Sequence, residues 1–309
     1  MRELRFIVTN ACNYNCFFCH GEGIKGDEKS QKLNPKDYSY VFKVCRKHYG
    51  WNTVTITGGE PLIRNDIGEI CKQIFEEDGE ITVVTNGSLL GKYVEIPTYL
   101  KKLNISLHSI ESNMYSVITG RSNCFNQLIN NIRMIRKEYE NFNIRLNATI
   151  VNGINDNTET IVNLLGFAEE INASIKFMEL YGENMGNTSV VDKLQSILYE
   201  NNYNLIQEEH RKATFSNKII SVTLSKLTCT KAKETSNPKE YCNKFNDIFV
   251  APDGTISLCM NSKEEISILN EIKDQDDIKL IRKINEALYR LGENCIYACD
   301  VINIDKAAV

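Results

Sequence analysis

Short apolar runs alternate with amphipathic stretches through the first two thirds of the chain, and this alternation restricts the possible fold more than any other feature. Candidate strands lie at 3–9 (ELRFIVT), 52–57 (NTVTIT), 81–85 (ITVVT), 103–108 (LNISLH), 143–150 (NIRLNATI) and 174–179 (SIKFME). Helical patterns fall between them at about 35–48, 66–77, 90–100, 112–138 and 158–171, as in the spacing of Ile129, Ile132 and Ile135. Strands separated by helices form a parallel sheet that curls, with ligands at the carboxyl ends of the strands. Six such units fall short of the eight that close a full barrel, so the expected fold class is α/β, a partial (β/α)6 TIM-like barrel.

After about residue 182 the composition changes. GENMGNTS reads as a loop, 190–202 as a helix, and 228–242 (TCTKAKETSNPKEYC) as a polar stretch. IFVAPDGTISLCM carries two short strands around a Pro-Asp-Gly turn, a hairpin signal, and 276–292 reads as a helix with an acidic start and a basic end. The expected division is a barrel over residues 1–214 and a small C-terminal domain over 215–309.

The chain has 309 residues, 42% hydrophobic and 25% charged, enough for two typical domains or one large barrel with an appendage. Its net charge of -4 supplies no basic field for nucleic acid or an anionic membrane. The N-terminus MRELRFIVTNAC lacks the apolar core and cleavage site of a signal peptide, and no long apolar run follows, so a cytoplasmic location is expected. There are 11 cysteines, and an odd number in a reducing compartment argues against a disulfide framework and for metal or cluster ligation.

Cys12, Cys16 and Cys19 stand as C-x3-C-x2-C directly after the first strand. Three thiolates around one site leave one iron of a four-iron cluster without a protein ligand, open to a substrate or cofactor. A zinc site completed by His20 is the alternative, but structural zinc is usually held by four ligands, commonly from C-x2-C pairs. After the second strand comes Thr57-Gly58-Gly59-Glu60-Pro61, where the glycines permit close backbone approach and the proline stiffens the turn.

These two motifs, in this order, resemble those of the radical S-adenosylmethionine (SAM) enzymes. The resemblance implies that a [4Fe-4S] cluster on Cys12, Cys16 and Cys19 binds SAM through its open iron, reduces the sulfonium and releases a 5′-deoxyadenosyl radical. It assigns Gly58, Gly59, Glu60 and Pro61 to the methionine end of SAM, with Glu60 on the amino group. Further passages extend the likeness to the GTP 3′,8-cyclase family of molybdenum-cofactor synthesis: LRFIVTNACNYNCFFCHGEG, TITGGEPLIRNDI, TNGSLL, NISLHSI, ITGR, NATIVNGIND, IKFMEL, APDGTISLC and IKDQDDIKLIRKINEAL.

By that likeness Phe18 contacts the adenine region, and Gly68, Asn86, Ser106 and Tyr181 fall at other SAM-facing positions, Tyr181 standing where the family has Met. Arg5, Arg64 and Arg145 correspond to substrate positions, and arginine's planar fork suits a triphosphate. His108 follows Ser106 and lines the same pocket or serves a local structural bond. The chain departs from the family at Cys242-Asn243-Lys244-Phe245-Asn246, which lacks the substrate-holding arginines, at Lys239 in place of a Cys, and at Val84 in place of a Thr. It ends Asp305-Lys306-Ala307-Ala308-Val309 where the family has a glycine pair.

Cys229, Cys242, Cys259, Cys295 and Cys299 form a second group in the small domain. Cys242 and Cys259 bracket the hairpin, which resembles the auxiliary-cluster domain called Twitch, and the C-terminal domain is therefore expected to be an iron-sulfur domain. The resemblance implies a second [4Fe-4S] cluster on Cys242, Cys259, Cys295 and Cys299, with Cys229 as an alternative ligand or hydrogen-atom donor. Structural zinc or buried thiols are the plainer readings. Cys45, Cys71 and Cys124 are expected in the core.

The function expected is that of a radical SAM enzyme taking hydrogen from a small substrate, a nucleotide by the family likeness. An epimerase, dehydrogenase or peptide-modifying enzyme is the second reading, and a non-catalytic iron-sulfur or zinc protein the third. No extra segment precedes Cys12 to recognise a peptide leader, which counts against a peptide. A flavodoxin or ferredoxin reductant is the expected partner, with no nucleic acid and no membrane.

Overall fold

A computed structural model describes residues 3–19, 31–180, 190–209, 212–225, 247–257 and 265–293. The six expected strands are β1 (Leu4–Ile7), β2 (Thr53–Thr57), β3 (Glu80–Thr85), β4 (Lys102–Ser106), β5 (Ile144–Ile150) and β6 (Ser174–Glu179). They pair in chain order and all in parallel. One face of each strand is apolar: Leu4 and Phe6, Val54 and Ile56, Leu103 and Ile105, and Ile175 and Phe177 join the helices in one continuous core. The alternate positions carry Arg5, Thr55, Thr82, Asn104, Arg145 and Lys176. A parallel strand covered on both faces reads as a near-continuous apolar run, so this alternation marks a concave face left polar for a ligand.

The helices α1 (Pro35–Tyr49), α2 (Ile67–Glu76), α3 (Ser112–Thr119), α4 (Phe125–Glu138), α5 (Thr158–Glu170) and α6 (Val190–Glu200) cover the apolar face. α1 starts in a capping box, with Asn34 accepting from the Lys36 and Asp37 amides and Asp37 accepting from the Asn34 amide. Cys45 and Cys71 are fully buried on α1 and α2, and Cys124 is buried just before α4. Two helical expectations are corrected. The pattern over 112–138 breaks into α3 and α4, because Gly120 takes a left-handed conformation (φ 62°) and ends α3. The stretch 90–100 forms two short 3-10 turns, Leu90–Lys92 and Ile96–Tyr99, where Gly91 weakens the helix and Pro97 withholds an amide.

An antiparallel ribbon that the sequence reading missed, β7 (Asn204–Glu209), β8 (Lys212–Ser216) and β9 (Ser221–Ser225), extends one side of the sheet, β9 running parallel to β6. Its signal was the alternation in KATFS and SVTLS. On the other side β10 (Ile248–Val250) runs parallel to β1 and forms the expected hairpin with β11 (Thr255–Ser257), followed by β12 (Ile266–Ser267). The result is one 12-stranded sheet whose terminal strands are β12 and β7, open among the described residues. The domain boundary expected at 215 falls inside β8. α7 (Leu269–Lys273) and α8 (Asp277–Glu293) close against α1 through Lys273 to Asp37, Tyr40 to Asp277 and Tyr49 to Asn285. Among the described residues no helix is long and apolar enough to cross a membrane.

Candidate functional site

The loop after β1 carries Cys12, Cys16 and Cys19, with Cys12 and Cys19 exposed and Cys16 half-buried. It is held along its length by backbone bonds to two other β/α units. Gly59 and Glu60 donate to the Thr9 and Ala11 carbonyls, each at 2.8 Å. Asn15 and Phe17 donate to the Thr119 and Ile118 carbonyls at the end of α3, at 3.0 and 3.3 Å. Both contacts depend on glycine: a Cβ on Gly58 would lie 2.4 Å from the Thr9 oxygen, one on Gly59 2.1 Å from the Ala11 oxygen, and one on Gly120, at the end of α3, 2.4 Å from the Asn15 oxygen. Gly58 also sits at φ 143°, where other residues are strained.

The three thiols interact electrostatically with one another, and burial together with Cys19 and Cys12 pushes the Cys16 thiol up to about 12. A single zinc ion with bonds of about 2.3 Å needs its thiolates within about 4 Å of each other. Three thiols on one glycine-braced loop are a donor set that fits a four-iron cluster with one iron left open.

Asn86, at the end of β3, joins this loop to the glycine turn. Its amide donates to Glu60 Oε2 (2.6 Å), its Nδ2 donates to Asn13 Oδ1 (2.8 Å), and its side chain also bonds the Cys12 thiol. Asn13 in turn donates to Ser88 Oγ at 2.8 Å. Glu60 is fully buried and accepts from the Leu62 amide, the Thr85 hydroxyl and the Asn86 amide. Burial raises its carboxyl above the usual range against the lowering effect of these donors.

Below the loop, the polar strand faces form rows set by register. Asn104 on β4 lies beside Arg145 on β5, and Ser106 beside Asn147, which lies beside Lys176 on β6. Arg145 Nε donates to Asn147 Oδ1 at 3.1 Å. Burial and the Arg5 charge lower Arg145 to about 10, and burial with Arg145 and Lys212 lowers Lys102 to about 8. Among the described residues neither Arg145 nor Lys102 is in an ion pair, although the Glu3 carboxylate acts favourably on both, whereas Arg5 is bound to Asp247 at 2.8 Å. Asn104 is buried and its Oδ1 has no partner among the described residues.

A braced three-cysteine loop above a cation-lined lumen agrees with the family comparison, in which residues 6–165 match the Radical SAM superfamily model. The chain belongs to the radical SAM superfamily. It is 30% identical over 302 residues to a probable GTP 3′,8-cyclase of Pyrobaculum aerophilum, with 94% of both chains covered. A probable GTP 3′,8-cyclase of Saccharolobus solfataricus is 31% identical over 290 residues, with 90% of both covered. Among solved structures, SuiB of Streptococcus suis bound to S-adenosylmethionine shares the fold, with a TM-score of 0.65 at 16% identity, covering 91% of this chain and 67% of that one. The protein is thus a radical SAM enzyme related to the GTP 3′,8-cyclases, and the family's chemistry uses a reduced [4Fe-4S] cluster to split SAM into methionine and a hydrogen-abstracting 5′-deoxyadenosyl radical.

In this radical SAM protein the expected site residues divide by location. Gly58, Gly59, Glu60, Pro61, Asn86, Ser106 and Phe18 gather at the carboxyl ends of β1 to β4. Gly68 lies in the first turn of α2, where a Cβ would meet nothing within 4 Å. Arg64 does not face the lumen rows; its guanidinium is bound to Val8, Leu33 and Asp66. Tyr181, Cys229, Cys242, Cys259, Cys295 and Cys299 lie outside the described residues. Lys102, Asn104 and Lys176 were missed, although the two-residue period that places Arg145 on the inner face places them there too.

His108 is buried against Phe18, with ring centroids 5.0 Å apart, and its Nδ1 accepts from the Thr149 amide at 3.1 Å. That bond leaves the proton of the neutral ring on Nε2. Burial lowers His108 to about 4 from an unfolded value near 6.5. The unfolded chain therefore binds the extra proton first, and stability is full above about pH 6.5 and falls as the pH drops toward 4, by about 3 kcal/mol in all. Urea melts of the cluster-free protein should show this slope, and His108→Gln should remove most of it; an unchanged slope would refute the assignment.

Proposed function

We propose that this enzyme abstracts a hydrogen atom from an anionic nucleotide bound in the barrel lumen, as a divergent relative of the GTP 3′,8-cyclases. The observation that supports this reading is the placement of Arg145 on β5 and Lys102 on β4, neither in an ion pair among the described residues and both felt by the single carboxylate of Glu3, on the inner face of the sheet whose first strand leads into the cysteine loop. Two half-buried like charges that repel one another, with only Glu3 to offset them, would be stabilised by a bound anion, and phosphate oxygens match the arginine fork. In this reading Cys12, Cys16 and Cys19 hold the SAM-binding cluster. Gly58 to Pro61, Gly68, Asn86, Ser106, Phe18 and Tyr181 shape the SAM pocket, with Glu60 fixing the turn. Arg145, Lys102, Arg5 and Lys176 surround the phosphates, and the Asn104 Oδ1 accepts a hydrogen bond from the substrate. A second [4Fe-4S] cluster on Cys242, Cys259, Cys295 and Cys299, a flavodoxin or ferredoxin reductant, and a cytoplasmic location complete the proposal.

Arg145→Met tests it. The KM for GTP, followed as substrate-stimulated 5′-deoxyadenosine, should rise roughly 10-fold to 100-fold, the loss of one charged bidentate contact. Substrate-independent SAM cleavage should stay near the wild-type level. If none of the nucleoside triphosphates stimulates the wild-type enzyme, the nucleotide reading falls. The second reading, a different small molecule, is favoured by Val84, which stands next to Asn104 in register and offers no polar contact.

A further inference from the structure

Arg64 ends the glycine-proline turn, in the position where the family likeness points to substrate. Its side chain is 5% exposed and runs beneath the cysteine loop rather than into the lumen. One terminal nitrogen donates to the Val8 carbonyl at 2.8 Å, and the other donates to the Leu33 carbonyl at 3.0 Å. Nε and the second terminal nitrogen grip Asp66 in a two-point contact at 2.6 and 2.8 Å. The plane packs over the Tyr38 ring at 5.5 Å. Val8 is the residue just before the cysteine-bearing segment and Leu33 lies just before α1, so the two carbonyls stand at the two ends of residues 9–32.

We infer that Arg64 is a positioning residue that closes the base of the cysteine loop by tying both of its ends to one guanidinium, and that it is not a substrate ligand. Asp66 fixes the direction of the fork, and the Arg64 charge holds the Asp66 carboxyl below the usual carboxylate range. A planar fork with five donors can serve two carbonyls and a carboxylate together; a lysine ammonium at the same place reaches only part of that set. The consequence is that the geometry of the three thiols is set from beneath as well as by the glycine turn and the end of α3. This inference rests on the assignment of the cluster to Cys12, Cys16 and Cys19, but not on which substrate is bound.

The test compares wild type, Arg64→Lys and Asp66→Asn by two measurements. In the cluster-free full-length chain, amide hydrogen exchange over residues 9–19 should quicken at least about tenfold in Arg64→Lys and less in Asp66→Asn, while amides of α4 keep their protection. In the reconstituted, reduced protein, the change that SAM causes in the cluster's electron paramagnetic resonance spectrum should weaken or vanish in Arg64→Lys, and SAM cleavage without substrate should fall with it. Unchanged exchange over 9–19, or a defect confined to the substrate KM with normal SAM-induced spectra, overturns the inference. If Arg64→Lys does not fold, Asp66→Asn decides on the same readings: local loosening of 9–19 supports the brace, and wild-type protection there overturns it. The exchange measurement contains neither cluster nor substrate, so failure of the nucleotide proposal leaves its outcome readable.

Discussion

Cys16→Ala should lower 5′-deoxyadenosine formation by at least about 1,000-fold, equivalent to about 4 kcal/mol of barrier, because among the described residues no other side chain is placed to replace this proposed ligand. Cys124 is the nearest candidate substitute: its charge is felt at Cys16, but its thiol is buried and donates to the Arg121 carbonyl at 3.2 Å. It is anchored to the start of α4, away from the loop's own backbone. Folding should survive, since Cys16 is only half-buried and contributes to the edge of the core. The check is iron and sulfide content together with product yield after anaerobic reconstitution, alongside a thermal melt of the cluster-free protein. A variant that keeps full iron content and full SAM cleavage would sink the assignment of the cluster to this loop.

Gly59→Ala is expected to have the second-largest effect. The added methyl would lie 2.1 Å from the Ala11 oxygen, 2.6 Å from the Ala11 carbonyl carbon and 2.7 Å from the Asn10 oxygen, all backbone atoms. No side chain can rotate away to make room, so the strand-end loop and the turn must part. Parting them breaks the bonds from the Gly59 and Glu60 amides, which join the cysteine loop to the second β/α unit. The cost should be about 3 kcal/mol, from overpacking plus two lost backbone bonds. Affinity for SAM should fall more than the melting temperature suggests, because the displaced segment is the one proposed to cradle the cofactor. Gly166→Ala in α5 is the matched control: it has open space at the Cβ and should change stability by about 1 kcal/mol or less. Equal SAM affinities in Gly59→Ala and wild type would show that the close approach has no part in the site.

The strands and most helices were legible because their signals are local. ITVVT and SIKFME alternate in the period of a strand, and the α1 sequence carries its own capping residues at both ends. The two motifs were legible because their residues are adjacent in sequence and follow successive strands. The hub of Asn13, Asn86 and Ser88 was not legible, since its contacts join positions more than 70 residues apart and asparagines have many other uses. Arg64 shows a different limit. A sequence pattern fixes where an arginine's backbone is, but the side chain has several torsions, and only the positions of Val8, Leu33, Asp66 and Tyr38 decide which way it points. The ribbon of β7 to β9 escaped because short alternating polar strands resemble solvent-facing loops.

The last third of the chain contributes strands to both sides of the sheet, β9 beside β6 and β10 beside β1. Without them the parallel strands β1 and β6 would each present a row of unpaired amides and carbonyls, the template on which sheets from separate molecules stick together. A fragment cut at residue 214 would keep the three-cysteine loop and the glycine turn yet have two adhesive margins. It should precipitate or form ladders of cross-linked species before its iron chemistry could be assayed. For this protein the C-terminal third is a guard against self-association as well as a carrier of cysteines, and expression of the barrel alone is the wrong starting point for isolating its activity.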